Sequence, residues 1–417
     1  MNHDIDIKKV RINCFRQSKV AGEFMLQMRV PGAMIEAKHL KLVQDLCERF
    51  GNGTFHLGTR QTFDIPGVKY ENIEEVNKYI KSYIHDVDVE MCGVDMDVTD
   101  YGYPTIGARN IMSCIGNAHC IKGNANTYEL ARKIERLIFP SHYHIKVAVA
   151  GCPNDCVKAN FNDFGIMGIN KQVYDIDRCI GCGSCVDACK HHATGVLSLN
   201  QNGKIDKDAC CCVGCGECSL ICPTGAWTRG DKKLYRVTLG GRTGKQNPRA
   251  GKLFLNWVTE DVILGMFANW QKFSAWALDY KPEYLHGGHL IDRVGYKEFV
   301  KHIFEGVEFN PEAKMADDIF WAENEQRGNM HVMPLSEHKH AAPRNRRKRR
   351  HRGFGISNSK ERVQTAGGVN TCPAVFLPFL RKDWRLRDIL GTERDTIQSK
   401  YRQRGRICGQ PEIISVH

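Results

Sequence analysis

Two cysteine pairs flank one amphipathic segment in the first half of the chain. The first is Cys114-Ile115-Gly116-Asn117-Ala118-His119-Cys120, and the second is Gly151-Cys152-Pro153-Asn154-Asp155-Cys156. Four thiolates on two loops can close around one iron–sulfur cube, because a 4Fe–4S cluster takes four cysteine ligands. Gly151 and Pro153 suit a tight turn that brings Cys152 and Cys156 together. The alternative is four buried, reduced cysteines without a ligand, since free cysteine is among the most buried residue types.

A second group of cysteines follows. Cys179, Cys182, Cys185 and Cys189 have the spacing C-x2-C-x2-C-x3-C, and Cys212, Cys215, Cys218 and Cys222 repeat it, with Pro223 next. This is the pattern of a bacterial two-cluster ferredoxin, in which the fourth cysteine of each run serves the other cluster. One cluster then takes Cys179, Cys182, Cys185 and Cys222; the other takes Cys212, Cys215, Cys218 and Cys189. Structural zinc is the competing reading, but its sites use two pairs rather than a triplet plus one. Lys190 stands where a proline usually follows the fourth cysteine, and Cys210 and Cys211 are extra thiols without an assigned role.

At the first two pairs the chain resembles the siroheme-containing sulfite and nitrite reductases. The resemblance implies that Cys114, Cys120, Cys152 and Cys156 hold a 4Fe–4S cluster, with Cys156 also bridging it to the siroheme iron. It also implies roles for several cations. Arg60, in Thr59-Arg60-Gln61-Thr62-Phe63, corresponds to an arginine on the distal face of the siroheme; by pattern alone it reads as an exposed residue of a strand. Arg109 corresponds to an arginine that meets substrate or siroheme carboxylates, though it reads equally as half of a surface ion pair. Lys146 matches one of two substrate lysines spaced two residues apart. His144 stands at the position of the other, where it would donate a proton or hydrogen bond, or be inert. Arg242 and Lys245, with Arg249 beyond, suit siroheme carboxylates; the same stretch reads also as a solvated loop.

Hydrophobic periodicity supplies the elements that position these residues. Phe24, Leu26, Met28 and Val30 alternate along a strand over 23–30, and Pro31-Gly32 ends it. A helix over 35–50 turns Leu42, Val43, Leu46, Cys47 and Phe50 to one face, a second strand covers 54–65, and a second helix over about 71–84 points Ile73, Val76, Ile80 and Ile84 inward. This unit resembles the ferredoxin-like half-domain of the same family. Leu130, Ile134, Leu137 and Ile138 stripe a helix over 127–139 that ends at Pro140. Residues 142–149 alternate as a strand that feeds the second cysteine pair, 165–170 and 234–241 read as further strands, and a helix follows Asp261; the segment around 287–295 resembles the closing helical element of the same family. The expected fold is α+β: a siroheme-reductase repeat, made of a ferredoxin-like half-domain and a mixed-sheet siroheme/4Fe–4S domain, with an inserted two-cluster ferredoxin domain. The expected bounds are 1–90 for the half-domain, 91–170 and 230–340 for the two parts of the siroheme domain, 171–229 for the insert, and 341–417 for a tail.

Composition narrows the setting. A chain of 417 residues is long for one simple core. Its 19 cysteines, with no signal-peptide core at Met1–Asp6 and no apolar run long enough for a membrane span, fit cluster chemistry in a reducing cytoplasm rather than disulfides. The net charge of +12 belongs to the tail: residues 338–417 hold 19 Lys and Arg against 6 Asp and Glu, whereas the rest hold 40 against 41. The basic run Arg344–Arg352 reads generically as a nucleic-acid or membrane-surface patch; without aromatic or helical support it reads better as a disordered appendage, and no specific nucleic acid is expected.

The function the resemblance implies is the six-electron reduction of sulfite to sulfide, using siroheme and three 4Fe–4S clusters, one of them coupled to the siroheme. No G-x-G-x-x-G fingerprint opens a β-α unit, which places NADH and flavin on partner subunits; the resemblance implies an iron–sulfur subunit and a flavin-containing, NADH-oxidising subunit. A homodimer contact is expected, because this single repeat carries both the cluster cysteines and the substrate cations. Two alternatives stay open at this stage: reduction of nitrite to ammonia on the same cofactor, and an electron-transfer ferredoxin-type subunit without catalysis of its own.

Overall fold

β1 (Arg16–Gln17) and β2 (Glu23–Met28) begin the first sheet. A computed structural model describes residues 15–100, 109–244, 248–281 and 285–319; Lys245 and the basic tail lie outside them. Strand β2 alternates as its sequence demands, with Phe24, Leu26 and Met28 buried. Helix α1 (His39–Arg49) buries Val43, Leu46 and Cys47, and α2 (Ile73–Ile84) buries Ile73, Val76, Ile80 and Ile84. Both pack on an antiparallel sheet in the order β1-β2-β4-β3, completed by β3 (His56–Leu57) and β4 (Phe63–Lys69).

The single strand expected over 54–65 is instead two strands joined by a tight turn. Gly58-Thr59-Arg60-Gln61-Thr62 has no apolar residue to bury. The Gly58 N–H donates to the Thr62 carbonyl at 2.8 Å, and Gln61 takes a left-handed φ of 59°. Arg60 therefore sits in a turn, not on a strand face.

The second sheet starts with three parallel strands: β5 (Met112–Ser113), β6 (Val147–Ala150) and β7 (Phe164–Ile169). Helix α3 (Thr127–Ile138) makes the crossover that parallel pairing requires. The Asn126 side chain caps it, accepting from the Glu129 N–H at 3.4 Å, and Leu130, Ile134 and Ile138 face the core. The strand expected over 142–149 is regular only at its end, in β6.

After β7 the chain leaves the sheet. It forms β8 (Gln172–Tyr174), α4 (Ser184–His192), the hairpin β9 (Leu197–Leu199) and β10 (Ile205–Lys207), α5 (Glu217–Ile221) and β11 (Trp227–Arg229). It returns as β12 (Leu234–Leu239), paired along its length with β7 from Leu234↔Ile169 to Leu239↔Phe164. The excursion thus begins and ends between adjacent strands and leaves the ladder intact. It has its own small core, Leu197, Ile205 and Trp227 with Cys185, Cys189 and Cys218. α4 continues through Lys190, where proline would have disfavoured a further turn.

β13 (Lys252–Val258) and β14 (Lys314–Met315) finish a six-stranded mixed sheet in the order β14-β13-β12-β7-β6-β5. The helix expected after Asp261 is two helices, α6 (Glu260–Ala268) and α7 (Trp270–Ala277). Asn269 separates them, its side-chain amide donating to the carbonyls of Ile303 at 3.1 Å and Glu305 at 2.9 Å. With α8 (Gly287–Val294) and α9 (Tyr296–Ile303) they bury Phe267, Trp270, Phe273 and Phe299 against Phe164 and Phe254. The architecture is α+β.

Candidate iron–sulfur centres and anion site

The first four cysteines lie just beyond the carboxyl ends of β5 and β6. The Cys114 N–H extends the ladder to the Val149 carbonyl at 3.2 Å, and the Thr127 hydroxyl donates to the Cys114 carbonyl. The Gly151 N–H points at the Cys114 sulfur at 3.0 Å. A Cβ on Gly151 would stand 3.1 Å from the Gly116 Cα and 3.4 Å from that sulfur, so a side chain there would press the two loops apart by a few tenths of an ångström. Cys152 is buried, Cys114 and Cys120 are half-buried, and Cys156 is exposed. Burial pushes the Cys152 thiol up, and the neighbouring Cys114, Cys156 and Cys120 push the same way. A buried thiol with three others close around it forms a donor set suited to a metal cluster, whose positive charge offsets the cost of the Cys152 thiolate.

The insert arranges its thiols in two cavities. One is lined by Cys179, Cys182, Cys185 and Cys222, beside Ile180, Pro223 and Trp227. The other is lined by Cys189, Cys212, Cys215 and Cys218. In each cavity the fourth thiol comes from the other run. Burial pushes Cys218 up to about 12, with Cys215 and Cys212 adding to it, and Cys215 is raised by burial and then by Cys212 and Cys189. Both cavities match the donor set of a 4Fe–4S cube.

The cations gather at the opposite, amino-terminal ends of β5 and β6, where Arg109 and Lys146 precede the strands. From the first sheet the β3–β4 turn brings in Arg60. Its guanidinium donates to the carbonyls of Asn110 at 2.8 Å and Val147 at 2.7 Å, and to the Asn162 side chain at 2.9 Å. Burial pulls Arg60 down to about 10; Asp163 opposes that shift and Arg109 reinforces it. Lys146 is lowered by burial, against the pull of Asp163 and with the push of Arg60 and Arg109. The three sequence-predicted cations therefore form one electrostatic group.

Asp163 lies beneath them, 1% exposed, and accepts from the Lys146 N–H at 2.8 Å and the Gly288 N–H at 3.4 Å. Burial raises its carboxyl, but His286, 3.7 Å away, and the Lys146 N–H outweigh this and hold it below the usual range. His144 is 1% exposed, packs edge-on against His286 with ring centres 4.2 Å apart, and is driven by burial down to about 3. It is therefore a neutral imidazole at ordinary pH. Sequence reading missed Asp163 and His286. The signal available was Asn162-Asp163, a polar pair directly ahead of six buried strand residues.

Arg242 is 4% exposed and pairs with Asp292 of α8 at 3.3 Å; Arg249 pairs with the same carboxylate at 3.0 Å and reaches the Gly240 carbonyl at 2.9 Å. Both guanidiniums are thus buried against Asp292 rather than solvated. Cys210 and Cys211 line neither cavity of the insert.

Known proteins fit this picture. Residues 106–310 match the nitrite and sulphite reductase 4Fe-4S domain, and residues 16–83 match the nitrite/sulfite reductase ferredoxin-like half domain. The chain belongs to the nitrite and sulfite reductase family. It is 49% identical over 335 residues to a subunit of the anaerobic sulfite reductase of Salmonella typhimurium, covering 80% of this chain and 99% of that one. It is 26% identical over 296 residues to the coenzyme F420-dependent sulfite reductase of Methanocaldococcus jannaschii, covering 68% of this chain and 43% of that one. Among solved structures, dissimilatory sulfite reductase I superposes with a TM-score of 0.51 at 17% identity over 76% of this chain and 77% of that one, a likeness of fold.

Proposed function

We propose that this chain is the siroheme-bearing subunit of an anaerobic sulfite reductase and carries out the six-electron reduction of sulfite to sulfide. The observation that carries the reading is that one sheet bears four clustered thiols at one end of its parallel strands and a group of cations at the other. The Salmonella relative, named as part of an anaerobic sulfite reductase, supports sulfite as the substrate.

Siroheme, when bound, would supply the iron at which sulfur is reduced; Cys114, Cys120, Cys152 and Cys156 would hold a 4Fe–4S cluster that supplies it with electrons, and Cys156 would serve both groups. The rest is the work of side chains. Arg109 and Lys146 neutralise the oxygens of the anion, at about 1.5–3 kcal/mol per charge-assisted hydrogen bond. Lys146 is the better proton donor of the two, because burial has lowered its affinity for the proton. Arg60 fixes the half-domain to the sheet and offers the remaining donors of its fork to the anion. His144, being neutral, orients by hydrogen bonding rather than by charge. Arg242 and Lys245 take the siroheme carboxylates.

Two further 4Fe–4S clusters, on Cys179, Cys182, Cys185 and Cys222 and on Cys189, Cys212, Cys215 and Cys218, feed electrons inward. The donors are an iron–sulfur subunit and a flavin-containing, NADH-oxidising subunit, in the cytoplasm. The domain bounds 1–90, 91–170, 171–229, 230–340 and 341–417 belong to the same reading. No helix among the described residues is long and apolar enough to cross a membrane.

The test is spectroscopic. Anaerobically purified protein should show the Soret and red bands of siroheme, yield the pigment on extraction, and turn over sulfite with a dye reductant. In Cys156→Ser, Mössbauer spectra should show the siroheme iron uncoupled from its cluster while the ferredoxin-type clusters persist. An iron–sulfur shoulder without siroheme bands would remove the catalytic reading and leave an electron-transfer subunit.

A further inference from the structure

The two cavities of the insert are not equivalent in their surroundings. The loop Ile121–Asn124, which follows Cys120, lies against the loop Gly214–Glu217, which carries Cys215. Lys122 Nζ pairs with the Glu217 carboxylate at 2.8 Å. The Asn124 side chain donates to the carbonyls of Gly214 at 3.3 Å and Cys215 at 3.4 Å, while its backbone N–H donates to the Gly151 carbonyl at 2.7 Å. Arg229, at the end of the insert, donates to the carbonyls of Ile121 at 2.7 Å and Gly123 at 3.2 Å. Gly216 takes a φ of +84°, and a Cβ there would meet Arg229 Nε at 3.4 Å and Asn124 Oδ1 at 3.5 Å. The Lys122 ammonium stands within electrostatic reach of Cys152 in one thiol set and Cys215 in another.

The other cavity faces away. Cys182 is exposed, Ile180 is 68% exposed and Ile176 is 53% exposed. Its polar ties stay inside the insert: Lys204 donates to the carbonyls of Ile176 at 2.9 Å and Cys179 at 2.8 Å.

We propose that the segment Ile121–Asn124 is the electron crossing of this protein, with the cluster of Cys189, Cys212, Cys215 and Cys218 as the inner relay and that of Cys179, Cys182, Cys185 and Cys222 as the entry point. Lys122 is a positioning residue whose charge favours the reduced state on both sides of the crossing. Each transfer moves one electron: the entry cluster is reduced by an external one-electron reductant and reoxidised as the inner cluster is reduced, and the inner cluster is reoxidised as the cluster at Cys114–Cys156 is reduced. No proton or bond is exchanged. A cation close to two such centres stabilises the added electron on each, and its field weakens with distance, so the outer cluster feels it least.

This inference rests on the assignment of the three thiol sets to 4Fe–4S clusters, and the experiment separates the two. Full-length Lys122→Gln is purified anaerobically, its iron is counted, and its clusters are titrated electrochemically by EPR, with Cys212→Ser used to mark the inner cluster's signal. The expected result is a native iron content, a downward shift in the potentials of the inner cluster and of the siroheme-coupled cluster, and an unchanged entry cluster. Glu217→Gln, which removes the negative partner, should shift the same two potentials upward, and Lys122→Arg should restore them. Unmoved potentials in both charge variants, or a shift confined to the cluster of Cys179, Cys182, Cys185 and Cys222, overturn the proposed order. Iron for fewer than three clusters in the native protein overturns the cluster assignment instead. Should Lys122→Gln not load with iron, Glu217→Gln and Lys122→Arg carry the comparison with the same criteria.

Discussion

Arg60 Nη2 donates to the Val147 carbonyl at 2.7 Å, joining a turn of the first sheet to the first residue of β6 in the second. The same fork holds Asn110 and Asn162. A residue expected to face an anion is thus also a fastener between two layers of the molecule. Arg60→Ala should cost roughly 2–4 kcal/mol of stability, since several charge-assisted hydrogen bonds go and their acceptors, on Asn110, Val147 and Asn162, stay buried. Chemical denaturation measures this. Arg60→Lys should recover little, because an ammonium does not reproduce the planar fork. A variant as stable as the native chain but deficient in anion binding would show that the fastening is incidental.

Much of this was legible in the sequence. The alternation of Phe24, Leu26 and Met28, the helical stripe of Leu130, Ile134 and Ile138, and the regular cysteine spacings are local patterns tied directly to period or ligand geometry. Two kinds of feature were not. The Gly58–Thr62 turn failed as a strand because its polar residues are satisfied by their own backbone and by a second layer, which no local pattern announces. Asp163 was invisible because its partners, Lys146, Gly288 and His286, come from distant parts of the chain and meet only after the sheet has formed.

His144 makes stability depend on pH in a definite direction. Burial lowers its pKa from 6.5 to about 3, so between those values the unfolded chain binds a proton that the folded chain does not. Its contribution is therefore fully present above pH 6.5 and is lost as pH falls toward 3, at about 1.4 kcal/mol per pH unit at the steepest. Replacing it by an apolar residue, His144→Leu, should flatten the acid side of a stability-against-pH curve measured by denaturant. An unchanged slope would show that His144 is protonated in the folded protein.

Asp163 balances the charge of Arg60 and Lys146. Asp163→Asn keeps the shape and removes the charge. The Lys146 and Gly288 N–H groups then meet a neutral acceptor in place of a charged one, at a cost of about 1–3 kcal/mol, which thermal or denaturant unfolding will register. The variant has a second consequence. Asp163 raises the pKa of Lys146, so without it the ammonium loses its proton at lower pH, and the alkaline limb of dye-driven sulfite turnover should move to lower pH. A loss of stability with that limb unmoved would leave Asp163 a structural residue and detach Lys146 from the proton supply.

The two halves of the proposed site lie at opposite ends of the same strands. Lys146 precedes β6 and Cys152 follows it, and the four strand residues between them span roughly 13 Å at about 3.3 Å per residue. A siroheme is a flat macrocycle, and in the proposed reading the thiols would serve one face and the cations the other. The polarity of β5 and β6 favours drawing these from two chains: the thiols of one would meet the cations of its partner across a two-fold axis, an arrangement common among oligomers. Complementation decides it. Cys156→Ser chains are co-expressed with Lys146→Met chains; Lys146 is chosen over Arg60 because the loss of Arg60 would loosen the fold as well as the site. In a shared-site dimer each mixed pair holds one intact site, with Cys156 from one chain and Lys146 from the other, and sulfite turnover returns to a fraction of native. In a self-contained site both chains stay inactive in every combination. Absence of rescue in a sample shown by differential tags to contain mixed dimers would rule out the shared arrangement, and the cations at the amino-terminal ends of β5 and β6 would then have to serve the siroheme of their own chain.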